Sequence, residues 1–297
     1  MLKSFIEAID AQRIPVLGTV VRRHGQEIAR HDWEPPIRLN VYSASKSYTA
    51  TAFGIAMREG LVDLDDRVID YFPEALPEDV SPEWQRLKVR HLLNMSSGMD
   101  KPYLMGEDRP TMPERDWLRF SLSRPIVHEP GTHFLYNNAD PYLVGRIVQK
   151  VAGTDLVSYL MPRLFEPMGI ALPTWEVDPQ GYTFGAGGLF LTVNDLALLG
   201  QMYLDGGVWN GRQVVDPRMV EFVRGTGIAT GSEKPDSAGY AGLFWKGQCN
   251  SYRADGKYNQ FAIVLPDQDA VVAITAFCRG EGDILDCVWR HIVPELG

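Results

Sequence analysis

Ser43-Ala-Ser-Lys-Ser-Tyr-Thr-Ala-Thr-Ala-Phe-Gly-Ile-Ala-Met-Arg-Glu59 is the stretch whose reading decides the fold. Its apolar positions Tyr48, Ala52, Phe53, Ile55 and Met57 cover most of a helix's circumference, and Gly60 follows as a stop. A helix apolar nearly all round is buried on every side, so the spacing predicts a central helix over 43–59.

Working outward toward the N-terminus, Pro35 and Pro36 break the pattern. Val16 to Arg22 and Glu27 to Trp33 read as two strands joined at His24-Gly25, a hairpin. Leu2, Phe5, Ile6 and Ile9 have amphipathic helical spacing, unlike the unbroken apolar core of a secretory signal, so the chain reads as cytoplasmic. On the C-terminal side, helical spacing recurs at Leu61–Phe72, Val89–Met95, Glu114–Ser123, Tyr142–Ala152, Leu156–Phe165, Asn194–Leu204, with Thr192 as its cap, and Pro217–Arg224. The last sixty residues change period. Tyr240–Lys246, Gln260–Leu265 and Ala270–Ala276 read as strands, and Ile284–Val293 as a closing helix.

Strands at both ends with helices between predict an α+β fold of the α/β-sandwich type. One antiparallel sheet is built from both chain ends and flanked by the terminal helices, and a mainly helical lobe is inserted. The boundaries fall at residues 1–60 and 238–297 for the sheet-and-helix lobe and 61–237 for the helical one. A chain of 297 residues suffices for two such lobes. Its net charge of −9 disfavours nucleic acid as a partner. No run approaches the ~18 apolar residues that mark a transmembrane helix, which excludes a membrane role on this reading. Cys249, Cys278 and Cys287 lack the pairing of a disulfide framework or zinc site and read as free thiols. Nothing in the sequence sets an oligomeric state.

Three segments carry chemistry. Ser43-Ala44-Ser45-Lys46 places an amine three residues along a helix from a hydroxyl, on the same face, where it can act as the base that serine lacks. Of eight lysines only Lys46 has serine three residues before it, and it sits in an otherwise apolar helix. Tyr136-Asn137-Asn138 follows the Pro130-Gly131 turn. A nearby Lys46 ammonium would lower the pKa of Tyr136 and let it shuttle a proton, and the Asn138 amide would suit a substrate carbonyl. In Tyr252-Arg253-Ala254-Asp255-Gly256-Lys257 the glycine permits close backbone approach, so the Lys257 N–H joins the Ser43 N–H as a candidate oxyanion hole.

In this order the three segments resemble the active-site elements of the serine β-lactamases and penicillin-binding proteins, and the tyrosine in the second resembles the class C β-lactamases, D-alanyl-D-alanine carboxypeptidases and β-lactamase-like esterases. Val89–Gly98, Gly185–Asp195 and Val264–Asp269 are similar to further recurrent segments of that family. The resemblance implies a β-lactamase/transpeptidase-like fold with the site in the cleft between the lobes, and acyl transfer through an acyl-serine. Ser43 would be the nucleophile, Lys46 and Tyr136 would handle its proton, and no cofactor or metal would be needed. The substrate would be a small-molecule ester, amide or β-lactam.

Ala254 departs from the pattern, since the family usually carries lysine or histidine there to bind a substrate carboxylate. Strand alternation puts Arg253 and Lys257 on the other face, which places esters ahead of penicillins and D-alanyl peptides. Met95 replaces a frequent histidine and reads as packing. The competing reading is a catalytically silent relative that binds a ligand or partner in the cleft. A third reading, an α/β-hydrolase with a Ser-His-Asp triad, fares poorly because the sequence has no Gly-x-Ser-x-Gly elbow.

Overall fold

The computed structural model describes residues 1–297. Twelve strands occur in chain order: β1 (Val16–Arg23), β2 (Gln26–Asp32), β3 (Leu39–Asn40), β4 (Phe190–Leu191), β5 (Val208–Trp209), β6 (Arg212–Gln213), β7 (Ile228–Ala229), β8 (Gly239–Ala241), β9 (Phe244–Lys246), β10 (Tyr252–Gly256), β11 (Gln260–Leu265) and β12 (Ala270–Ala276). Eight of them form one antiparallel sheet in the order β2-β1-β12-β11-β10-β9-β8-β7. The N-terminal and C-terminal strands therefore lie side by side, one strand in from the β2 edge, with Val20 opposite Ala273. His24 and Gly25 both take positive φ, which the two-residue turn between β1 and β2 requires.

Side-chain alternation sorts the sheet into two cores. Phe261, Ile263 and Leu265 of β11, with Val272 and Ile274 of β12, face a cluster shared with the terminal helices α1 (Lys3–Gln12) and α10 (Ile284–His291). Ala262, Val264 and Ala273 face the opposite side and join the larger cluster of 66 buried residues. A sheet covered on both faces explains why β12 reads Ala-Val-Val-Ala-Ile-Thr-Ala, with Thr275 its one polar residue.

The larger cluster is organised around α2 (Ser45–Arg58), in which every residue from Ser45 to Met57 is buried. At Gly54 a Cβ would approach Val215 to 2.6 Å, so only glycine lets α9 (Pro217–Arg224) and its leading segment pack this closely. The remaining helices are α3 (Pro82–Arg86), α4 (Val89–Leu93), α5 (Trp117–Leu122), α6 (Ala139–Ala152), α7 (Leu156–Leu160) and α8 (Val193–Leu204). Thr192 and Asp195 form a reciprocal capping box that starts α8. No helix is long and apolar enough to cross a membrane.

Three expectations change. Residues 61–72 hold only a short 3₁₀ turn at Val68–Tyr71. Asp66 accepts from the Asp63 backbone N–H and the Tyr71 hydroxyl, and such local side-chain bonds compete with helix. Tyr240–Lys246 splits into β8 and β9 because Gly242 and Leu243 both take positive φ. Contacts from α4 hold that turn, Asn94 Oδ1 accepting from the Gly242 N–H and the Leu93 carbonyl from the Leu243 N–H. The segment after α7 continues as a π turn, Met161–Phe165, rather than as α-helix.

Candidate active site

Ser43 sits in a 3₁₀ turn, Tyr42–Ala44, that feeds directly into α2. Tyr42 takes φ +49°, an uncommon conformation for a tyrosine. The turn is held by Asn40 Oδ1, which accepts from the Tyr42 N–H at 2.7 Å, and by Ser45 Oγ, which donates to the Tyr42 carbonyl at 2.5 Å. Ser45 Oγ also accepts from the Leu189 N–H, tying the turn to the 185–191 segment. The central helix thus begins two residues later than its hydrophobic pattern suggests, and Ser43 faces outward at its mouth.

Lys46 is buried to within 1% of full exclusion. Its Nζ lies 3.0 Å from Ser43 Oγ and donates to Asn138 Oδ1 and to the Ala186 carbonyl, each at 2.7 Å. No carboxylate pairs with it. Burial, and after it the Arg109 guanidinium, push its pKa well below the ordinary lysine value. A neutral amine has two N–H bonds to donate, and Asn138 and Ala186 accept both. Its lone pair is then left for the Ser43 hydroxyl.

The Tyr136 phenol lies near enough to Ser43 for that side chain to bear on its pKa. Its ring stacks on Trp245 at 5.6 Å and meets Tyr240 edge to face at 6.1 Å, while Lys46 Nζ lies 5.0 Å from its centroid. Burial among these rings raises the phenol's pKa, although Ser43 opposes that shift and Asp255 adds to it. This reverses the expectation that a Lys46 ammonium would lower it, because the desolvated lysine favours the uncharged form. Tyr136 is therefore held as the neutral phenol.

Asn138 occupies the N-cap position of α6 yet makes no capping bond, since its Oδ1 is turned to Lys46. Asn137 Oδ1 accepts from the Asp140 N–H in its place. Asn138 Nδ2 donates to the Leu104 carbonyl, which leaves one amide hydrogen for a ligand.

At Gly256 a Cβ would sit 2.1 Å from the Val41 carbonyl oxygen, so the end of β10 is pressed against the nucleophile turn. The Gly256 carbonyl accepts from Asn259 within the hairpin, and alternation turns the Lys257 N–H to the other edge. That edge is open, because β9 pairs only with Tyr252 and Arg253. Ala254 is fully buried, whereas Arg253 is bound to Asp255 at 2.8 Å on the opposite face, as alternation requires. Met95 is fully buried packing.

Sequence reasoning missed Ala186, whose backbone carbonyl carries no residue-type signal, although it lies inside the quoted 185–195 segment. Trp245, which stacks on Tyr136, and Arg109, which stacks on Phe184 at 4.2 Å and pairs with Glu176, also went unnoticed. They reach the site from loops and strands distant in sequence.

The Beta-lactamase family profile matches residues 2–283. The 6-aminohexanoate-dimer hydrolase of Paenarthrobacter ureafaciens is 28% identical over 237 residues, covering 74% of this chain and 58% of the relative. ML-236A carboxylate methylbutanoyltransferase of Penicillium citrinum is 26% identical over 199 residues, covering 61% of this chain and 47% of that protein. Among solved structures, the octameric penicillin-binding protein homologue from Pyrococcus abyssi superposes with a TM-score of 0.76 at 20% identity, covering 96% of this chain and 74% of the other. The chain spans about half the length of these curated relatives.

Proposed function

The chain belongs to the Beta-lactamase family, and on that premise we propose that it is a serine hydrolase that cleaves esters or amides through an acyl-serine at Ser43. The observation that carries this reading is the 3.0 Å approach of a buried, carboxylate-free Lys46 amine to Ser43 Oγ. The division into a sheet-bearing lobe, 1–60 with 238–297, and a helical lobe, 61–237, is part of the same proposal, with the site at their junction.

Neutral Lys46 takes the Ser43 proton as Oγ attacks the substrate carbonyl carbon. The Ser43 and Lys257 N–H groups receive the developing oxyanion. As the tetrahedral intermediate collapses, Tyr136 protonates the leaving alcohol or amine and recovers its proton from the Lys46 ammonium. Water, deprotonated by the same pair, then attacks the acyl-serine and releases the acid. Asn138 and Ala186 hold Lys46 Nζ beside Ser43 in both of its protonation states.

The silent-relative reading is disfavoured because a ligand pocket has no need of a desolvated lysine held on a serine. Ala254 offers no cation to a substrate carboxylate, which favours esters over penicillins. An acyl-serine also reacts with alcohols, and resemblance to a methylbutanoyltransferase supports acyl transfer as a second outcome. Turnover of 4-nitrophenyl butyrate that disappears in Ser43→Ala, with the folded state retained by circular dichroism, is the expected result. Undiminished turnover in that variant would remove Ser43 from the chemistry.

A further inference from the structure

The two residues that supply the proposed oxyanion N–H groups are each followed or preceded by an aromatic ring, Tyr42 before Ser43 and Tyr258 after Lys257. These rings meet edge to face with centroids 5.2 Å apart. Tyr258 stacks in turn on Phe277 at 4.7 Å, with 19° between the planes. Phe277 lies just past β12 and remains 44% exposed, and the neighbouring Cys278 N–H bonds the Tyr258 carbonyl. An aromatic run therefore leads from the nucleophile turn outward over the rim, beginning one residue, about 3.8 Å of chain, from each oxyanion donor.

Two cations lie on that run. Lys257 Nζ is 5.3 Å from the Tyr258 centroid. The Arg279 guanidinium is 5.6 Å from Tyr258 and 5.2 Å from Phe277. Neither side chain forms an ion pair, although the chain carries nine more acidic than basic residues. The neighbouring Glu281 carboxylate bonds the Arg279 backbone N–H instead of its guanidinium. Ring contacts at an exposed site hold a cation weakly, so both remain available to a stronger anionic partner.

We infer that this rim is a specificity subsite for substrates whose scissile carbonyl carries a flat apolar group ending in a carboxylate. The apolar group lies along Tyr42, Tyr258 and Phe277, and the carboxylate reaches Lys257 and Arg279. The cation absent at Ala254 is thereby replaced farther out, at a distance that suits an extended acid rather than a compact one. The inference rests on the acyl-serine reading above.

The test compares kcat/KM for 4-nitrophenyl esters of 4-carboxyphenylacetic acid and of phenylacetic acid. The ratio of the charged to the neutral ester exceeds one in the parent protein. It falls about fivefold in Arg279→Gln and again in Lys257→Gln, the size of an exposed ion pair, and it shrinks as salt is raised. A ratio unmoved by both substitutions would overturn the subsite. Should neither ester turn over, the acyl-serine reading has failed, and binding alone then decides the rim. In Ser43→Ala, 4-(carbamoylmethyl)benzoate binds more tightly than phenylacetamide and Arg279→Gln erases the difference, whereas equal affinities before substitution would overturn the inference.

Discussion

Replacing Gly256 with alanine drives a methyl carbon to 2.1 Å from the Val41 carbonyl oxygen and 3.1 Å from Gln260 Cβ. Real Cβ atoms essentially never come within 3.0 Å of another heavy atom, so the strand end and the nucleophile turn must separate by about 0.9 Å. The obstacle is backbone and cannot swing aside as a side chain would. The two proposed oxyanion donors, Ser43 and Lys257, flank this contact, so the separation opens the hole itself. Losing one such donor, or misplacing it by about 1 Å, costs on the order of 100-fold in rate. The packing strain costs about 1–3 kcal/mol of stability. The assay is kcat on 4-nitrophenyl butyrate, with thermal unfolding followed in parallel. Gly106→Ala, where no atom lies within 4 Å of the new methyl and φ is not positive, serves as the unaffected control. A Gly256→Ala variant that folds and keeps kcat within about threefold of the parent would refute the assignment of this contact to the oxyanion hole.

Three further outcomes follow from the same geometry. Because Lys46 works as the free amine, kcat/KM falls as pH drops through its depressed pKa. Arg109→Gln removes a cation that disfavours the ammonium, so that acid limb moves to higher pH, and a shift to lower pH contradicts the assignment. Asp140 is fully buried, and that burial pushes its pKa up to about 7, with Ser97 and Asn137 opposing the shift. The folded state then holds this proton more tightly than the unfolded state, so stability falls as pH rises from about 4 to 7. Asp140→Asn flattens that fall by roughly a few kcal/mol, read as Tm at pH 5 and pH 8. Ala254→Lys raises cephalosporin turnover relative to ester turnover and lowers Tm, because Ala254 is fully buried against the core. An unchanged ratio of the two activities counts against the account of that position.

Sheet, terminal helices and central helix were legible because each is written in local periodicity. The 43–59 stretch is apolar all round, Gln260–Leu265 and Ala270–Ala276 are short apolar runs between turn signals, and Pro217–Arg224 is bounded by its own cap and glycine. Where tertiary contacts override local preference, the sequence misleads. Leu243 adopts positive φ because α4 and Ser47 hold its backbone, and a leucine does not announce that conformation even beside Gly242. The site shows the same division. Ser43, Lys46, Tyr136 and Asn138 could be named from motif spacing, and the fold brings Ser43 and Asn138 onto the Lys46 amine with the Tyr136 ring 5.0 Å from it. The protonation of the site could not be read, because it depends on burial and on Arg109, which the folded chain brings in from a distant loop.

The most direct test is intact-protein mass spectrometry after exposure to a fluorophosphonate, read beside Lys46→Met and Ser43→Ala. The account predicts one adduct, mapped to Ser43, slow to form without the lysine amine and absent without the hydroxyl. An adduct on any other residue, or none on a folded parent protein, would contradict it.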